Sequence, residues 1–163
     1  MIERAKNLWP GRGFDSVLSR EQCTLSPSDF GFHNALRSKN NSIAFLDFEY
    51  FGWDDPVKLM CDFALHPGME LNREIRKLWF RATLKLYGDH LLPRLNASWP
   101  LYGLCWVLIL LNEFRTDVWA RRCAADPTLT ESRVDLQLRQ LKRSRQLLIF
   151  IDHSVQTETF DFM

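Results

Sequence analysis

Several features that would place a chain quickly are scarce in this one. Its 163 residues include only seven Gly, and no glycine-rich loop stands behind a strand. Gly11 and Gly13 follow Trp9-Pro10 in what reads as a plain turn, because no strand precedes them. The four Cys (Cys23, Cys61, Cys105, Cys123) form no C-x-x-C pair. They suit buried thiols in a reducing compartment better than a disulfide framework or a zinc site. The four His (His33, His66, His90, His153) are widely spread, so no metal site is expected among them. Charge of one sign is not in excess: the net charge is +1, with no general pull towards nucleic acid or membrane. The longest apolar run, residues 101–111, is too short to span a bilayer and reads as a buried helix. The first residues carry no apolar signal-peptide core, which leads to the expectation of a cytoplasmic protein without membrane or nucleic-acid partners. Neither an internal repeat nor a low-complexity segment stands out.

What is present is a globular composition, 46% hydrophobic and 13% aromatic, in a length that suits one domain with a sizeable core. Residues 1–24 read as an N-terminal extension and residues 25–163 as the main unit. Residues 34–37 and 42–48 are predicted to pair as strands around the turn Ser38-Lys39-Asn40-Asn41. The rest is predicted helical. Asp54 or Asp55 caps a helix with Pro56 in its first turn, running to about His66 before Pro67-Gly68. A second helix covers residues 71–88, with Ile75, Leu78, Trp79, Ala82 and Leu86 as its apolar stripe, and a third covers 101–124. A fourth opens at the capping-box pattern of residues 128–131 and runs to about Ser154, with Val134, Leu138, Leu141, Leu148 and Ile149 as its stripe. The basic stretch Arg139, Lys142, Arg143 and Arg145 reads as a solvated face, and Trp99, Tyr102, Trp106 and Trp119 as core. The fold class is mainly α with a small β-hairpin.

Two short segments carry the chemistry. In Asp29-Phe30-Gly31-Phe32-His33-Asn34, Asp29 and Asn34 stand as D-x-x-x-x-N. Asp47 ends the apolar run Ile43-Ala44-Phe45-Leu46 and opens Asp47-Phe48-Glu49-Tyr50. A hairpin folding the second segment over the first would bring one loop carboxylate and two oxygen ligands around a terminal phosphate. Phosphoryl transfer asks for little more than a nucleophile held in line and cations against the phosphate oxygens. Magnesium takes oxygen donors, so a carboxylate and an amide carbonyl suffice beside the phosphates. Asp29-Phe30-Gly31 also spells D-F-G, a metal motif of protein kinases. In that register Asp15 is the only upstream carboxylate near the right distance, no Asn follows it at the right spacing, and fewer residues are explained.

At these residues, and in Asp47 through Asp54-Asp55-Pro56, the chain resembles the aminoglycoside phosphotransferase and choline kinase superfamily, most strongly over residues 25–67. The resemblance implies the C-terminal lobe of a protein-kinase-like fold with the N-terminal lobe absent. It implies Asp29 as the catalytic base, Asn34 and Asp47 as metal ligands, and His33 and Glu49 as further phosphate or loop contacts. The implied cofactors are Mg2+ and ATP. The implied acceptor is a hydroxyl of an amino alcohol, sugar or aminoglycoside-like small molecule. Three departures stand out: Pro27 lies where the family has a His, Lys58 and Leu59 replace the usual acidic residue after Asp-Pro with Asp62 one turn later, and 28 residues before Asp29 cannot hold a nucleotide-binding lobe. That lobe is expected on a partner chain or on the rest of a truncated gene, and the isolated chain is expected to be inactive or weakly active. The alternative is a non-catalytic lobe that binds a metabolite or partner. Glu70, Glu74, Asp89 and Glu113 could meet a cationic acceptor, but no spacing selects among them.

Overall fold

The computed structural model describes residues 2–9, 11, 17–126, 128 and 132–157. Among these the chain is mainly helical. Six helices are present: α1 (Ile2–Leu8), α2 (Pro56–Leu65), α3 (Arg73–Tyr87), α4 (Leu92–Leu110), α5 (Thr116–Ala125) and α6 (Arg133–Thr157). Four three-residue strands accompany them: β1 (Thr24–Ser26), β2 (Ala35–Arg37), β3 (Ile43–Phe45) and β4 (Gly52–Asp54).

The predicted hairpin forms, but shorter than expected. β2 pairs with β3 with Leu36 opposite Ala44, and Leu46 N–H still reaches the Asn34 carbonyl at 2.8 Å. The return strand then stops, because Asp47 turns to φ 62°. A second ladder was not anticipated. β1 and β4 pair antiparallel with Leu25 opposite Trp53. The two ladders bracket two loops. Residues 27–34 run from β1 to β2, and residues 46–51 run back from β3 to β4, so both loops are pinned at both ends.

Asp55 joins this β region to the helices. Its Oδ1 accepts the Val57 N–H at 2.9 Å and caps α2, with Pro56 at the first position where a missing N–H costs nothing. Its Oδ2 accepts from Arg94 of α4. The core gathers Val57, Met60, Cys61, Ala64 and Leu65 of α2, Phe80 and Leu84 of α3, and Leu95 and Trp99 of α4. α4 is the central helix and packs on α2, α6 and α1. The fully buried Trp99 donates its Nε1–H to Ser154 of α6 at 3.1 Å.

Four predicted features fell differently. The third helix is two: α4 begins at Leu92 and runs through Pro100, while a 3-10 turn (Leu111–Phe114) separates it from α5. The segment Asp89–Phe114 is, by length and composition, enough to cross a membrane, although residues 101–111 alone are not. Of the predicted stripe of α3 only Trp79 turns inward, half-buried against the core; Ile75, Leu78, Ala82 and Leu86 are exposed, and Phe80, Thr83 and Leu84 are buried. In α6 the buried line is Leu136, Ser144, Ile151, Ser154 and Val155, while Val134, Leu138, Leu148 and Ile149 lie exposed. Leu141 is half-buried. Cys61 is buried as expected, but Cys105 and Cys123 are exposed. The pattern of residues 128–131 falls largely outside the described residues.

The inward face of α3 is therefore the stabilising one. Phe80→Ala is expected to destabilise by about 3–5 kcal/mol, the usual cost of emptying a buried aromatic site. Leu86→Ala on the exposed stripe should stay within about 0.5 kcal/mol. Urea unfolding of the two variants checks this, and a large loss for Leu86→Ala would mean that the helix is rotated from the face described.

Candidate functional site

The site is built on the two bracketed loops. The first is anchored from below by Phe30. Its ring packs 4.7 Å from Phe45 of β3, 5.7 Å from Phe63 of α2 and 6.2 Å from Trp79 of α3. The Phe of D-F-G is thus a hydrophobic peg, and Asp29 beside it is lifted to the surface. Ser28, just before Asp29, takes φ 66°. Its N–H goes to the buried Ser26 hydroxyl at 3.0 Å, and its own hydroxyl accepts from Lys58 at 3.2 Å. A turn at positive φ held by two side chains fixes the direction in which Asp29 leaves the backbone.

Asn34 is brought directly to Asp29. Its Nδ2 donates to the Asp29 backbone carbonyl at 2.9 Å and to Oδ2 at 3.2 Å. With the amide nitrogen so used, Asn34 Oδ1 is the atom left for other work. Asp47 follows the pair formed by Asn34 and Leu46 by one residue, in the left-handed region that Asp tolerates better than most residues. Its side chain is exposed. Glu49 is exposed in the turn after it, beside Tyr50, whose phenol pKa it raises. Asn34 Oδ1 and the Asp47 carboxylate are hard oxygen donors on adjacent backbone, the donor set that magnesium takes.

His33 lies at the surface, but its ring is turned onto the loop and is only 20% exposed. Its Nε2 lies 3.0 Å from Asp29 Oδ1. Its ring stacks on His66 at 3.9 Å between centroids and 1° between planes. The wide spacing of the four His in the sequence does not keep them apart in the fold: His66, at the C-cap of α2, comes to the loop, and its Nε2 is 3.8 Å from the same Asp29 oxygen. Asp29, His33 and His66 place their ligand atoms within 4.8 Å of one another. They do not form a metal centre as they stand. A metal lies in the plane of each imidazole that binds it, about 2.0–2.1 Å from the nitrogen. Two parallel stacked rings share no such point.

Behind the loops, Lys58 sits between Asp54 Oδ2 at 2.9 Å and Asp62 Oδ2 at 3.2 Å. Burial pulls the lysine pKa down, and the two carboxylates outweigh it, leaving it raised. Asp62 also accepts Trp106 Nε1–H at 3.1 Å; its burial still lifts its carboxyl pKa, against the pull of Lys58 and Trp106. Asp62 therefore braces α2 against α4 and the Ser28 turn instead of facing the loops. Of the acidic candidates for an acceptor, Glu113 is buried and paired with Arg122, and Glu70 is exposed near Arg143. Arg143 is not simply solvated, because it donates to the Pro67 carbonyl at 2.7 Å.

No protein-family model matches the chain, and no curated protein or solved structure is significantly similar to it.

His66 gives the site a pH signature. Burial, with His33 beside it, lowers its pKa from 6.5 to about 4. The folded protein keeps this ring neutral where the unfolded chain would protonate it. Between those two values the unfolded state binds more protons, so stability should fall as the pH drops from about 6.5 towards 4. His66→Phe should remove part of that slope. Thermal unfolding of both proteins across this range is the check, and identical slopes would contradict a neutral buried imidazole.

Proposed function

We propose that this chain is the catalytic lobe of a kinase-like, ATP- and magnesium-dependent phosphotransferase acting on a small-molecule hydroxyl. One observation carries the reading. Two ladders pin two loops side by side, and in them Asn34 is bonded to Asp29 and stands one residue out of register with Asp47. Asp29 accepts the proton of the acceptor hydroxyl as its oxygen bonds to the terminal phosphorus and the bond to the departing diphosphate breaks. His33 and Asn34 hold its two oxygens, while almost half of the side chain stays open to an acceptor. Asn34 Oδ1 and the Asp47 carboxylate would hold magnesium. The ion, when bound with ATP, supplies positive charge against the phosphate oxygens.

The surface around the loops supports a covering lobe. Leu25, Phe32, Leu36, Ile43, Leu46, Phe48, Tyr50, Phe51 and Trp53 are all exposed along both ladders and their loops. Isolated exposed apolar residues are ordinary, but a concentration of them marks an interaction surface. Among the described residues no glycine-rich loop follows a strand to cradle phosphates. A binding-only lobe is the second reading, favoured by that missing cradle and disfavoured by the bonded pair Asp29–Asn34 with Asp47 on the neighbouring loop.

The 163-residue chain alone is expected to bind Mg-ATP weakly and to show no measurable turnover. Each missing electrostatic contact is worth about 10²–10³ in rate. Supplied with a nucleotide-binding lobe, it should phosphorylate a member of a panel of amino alcohols, sugars and aminoglycosides, and Asp29→Asn should abolish this without unfolding the protein. An ADP-release assay decides. Activity that survives Asp29→Asn would remove the proposed base.

A further inference from the structure

His66 has no part in the chemistry assigned to Asp29, Asn34 and Asp47, yet its imidazole and that of His33 are both directed at one Asp29 oxygen. The arrangement is held from several sides. His66 Nδ1 accepts the Gly68 N–H at 3.1 Å, which leaves the ring proton on Nε2, the atom facing Asp29. Trp106 of α4 meets the His66 ring edge-on at 4.5 Å, and Trp106 is itself tied to Asp62. His66 is thus fixed to the helical core and offers its face to His33. Two glycines leave the space. A Cβ on Gly31 would stand 2.6 Å from His33 Nδ1 and 2.6 Å from Met69 Sδ, and one on Gly68 would stand 2.9 Å from His66 Cε1. Real Cβ atoms do not approach so closely, so any other residue at either position would displace an imidazole.

We propose that His33 is the positioning residue for Asp29, its imidazole clamped by the stacked His66 so that Nε2–H holds Oδ1 while Asn34 holds Oδ2. The assignment rests on the reading of Asp29 as the base. It also gives Pro27 an explanation. The imidazole that the resemblance expects two residues before the Asp is supplied instead from four residues after it. Holding one carboxylate oxygen from each side selects a single rotamer and leaves the remaining lone pairs aimed at the acceptor. A carboxylate free to turn would spend much of its time misdirected, and a displacement of about 1 Å costs on the order of 10²-fold in rate.

The test separates donor from stacking. His33→Phe keeps a ring against His66 and loses the N–H, whereas His33→Gln keeps an N–H donor and loses the aromatic face. The direct readout is the χ1 rotamer of Asp29, from three-bond couplings to Cγ in the labelled 163-residue chain at one fixed pH. Wild type and His33→Gln should each show one rotamer, and His33→Phe should show averaging. Gly31→Ala, which disturbs the imidazole without touching its chemistry, should also show averaging and covers the case in which the Phe variant unfolds. With a nucleotide-binding lobe supplied, kcat should fall on the order of 10²-fold in His33→Phe with KM little changed, and His33→Gln should recover most of it. A single wild-type rotamer in both His33→Phe and Gly31→Ala overturns the proposal. Absence of phosphoryl transfer from every protein would count against Asp29 as base, while the couplings would still decide whether His33 holds it.

Discussion

One side-chain amide ties the site together. Asn34 sits at the last residue of the first loop, and its Nδ2 reaches back five residues to both the carbonyl and the carboxylate of Asp29. That closes the loop on itself. The same residue's carbonyl accepts the Leu46 N–H, so the closed loop is also the first rung of the hairpin. A hydrogen bond to a charged group is worth about 1.5–3 kcal/mol when made, and leaving a buried partner unmatched costs as much again. The closure of the Asp29 loop and the turn into Asp47 meet at this one residue, while His33 is held from the other side by His66. Without it the peg at Phe30 would still dock, but the carboxylate would be held on one oxygen only.

The helical body keeps that loop from drifting. Asp55 divides its oxygens between the cap of α2 and Arg94 of α4, and Lys58 joins Asp54, Asp62 and the Ser28 hydroxyl. These polar ties cross from the β region to α2 and α4, where the apolar core around Trp99 and Phe80 is buried. Polar groups near a core are stabilising only when each finds a partner, and here the carboxylates of Asp54, Asp55 and Asp62 all do. The result is a surface site with a rigid floor. Its upper side, by contrast, is lined with apolar side chains that stay exposed among the described residues.

Local chemistry was legible in the sequence, and packing direction was not. The Asp-Asp-Pro cap, the Ser-Lys-Asn-Asn turn and the presence of the hairpin are short-range consequences of residue type, and they were readable. The β1–β4 ladder was missed because three-residue strands with Leu25 and Trp53 exposed show no alternation. The start of α4 was missed because Pro93 and Pro100 read as breakers; Pro93 lies in the first turn, and Pro100 is tolerated fully buried inside the helix. On α3 and α6 two apolar faces compete, and the sequence cannot say which the core takes. Ser154 on the buried face of α6 accepts from Trp99 of α4, and Gly103 of α4 makes room for Ile151, cues that hydrophobicity alone does not give. His66 lies 33 residues from His33, beyond any spacing rule, and only the proximity of Gly31 and Gly68 to the two rings hints at the pair. The kinase-like reading itself rests on Asp29, Asn34 and Asp47, which the fold keeps on neighbouring loops.

The central claim is that these two loops hold a divalent ion through Asn34 and Asp47. Manganese takes the same oxygen ligands as magnesium and broadens the resonances of nuclei near it. Titrated into the labelled chain with ATP, it should first broaden the signals of residues around Asn34 and Asp47, and Asp47→Asn should weaken this at least tenfold in manganese concentration. Broadening spread over the exposed acidic residues Glu70, Glu74 and Asp117, unchanged in Asp47→Asn, would contradict the account.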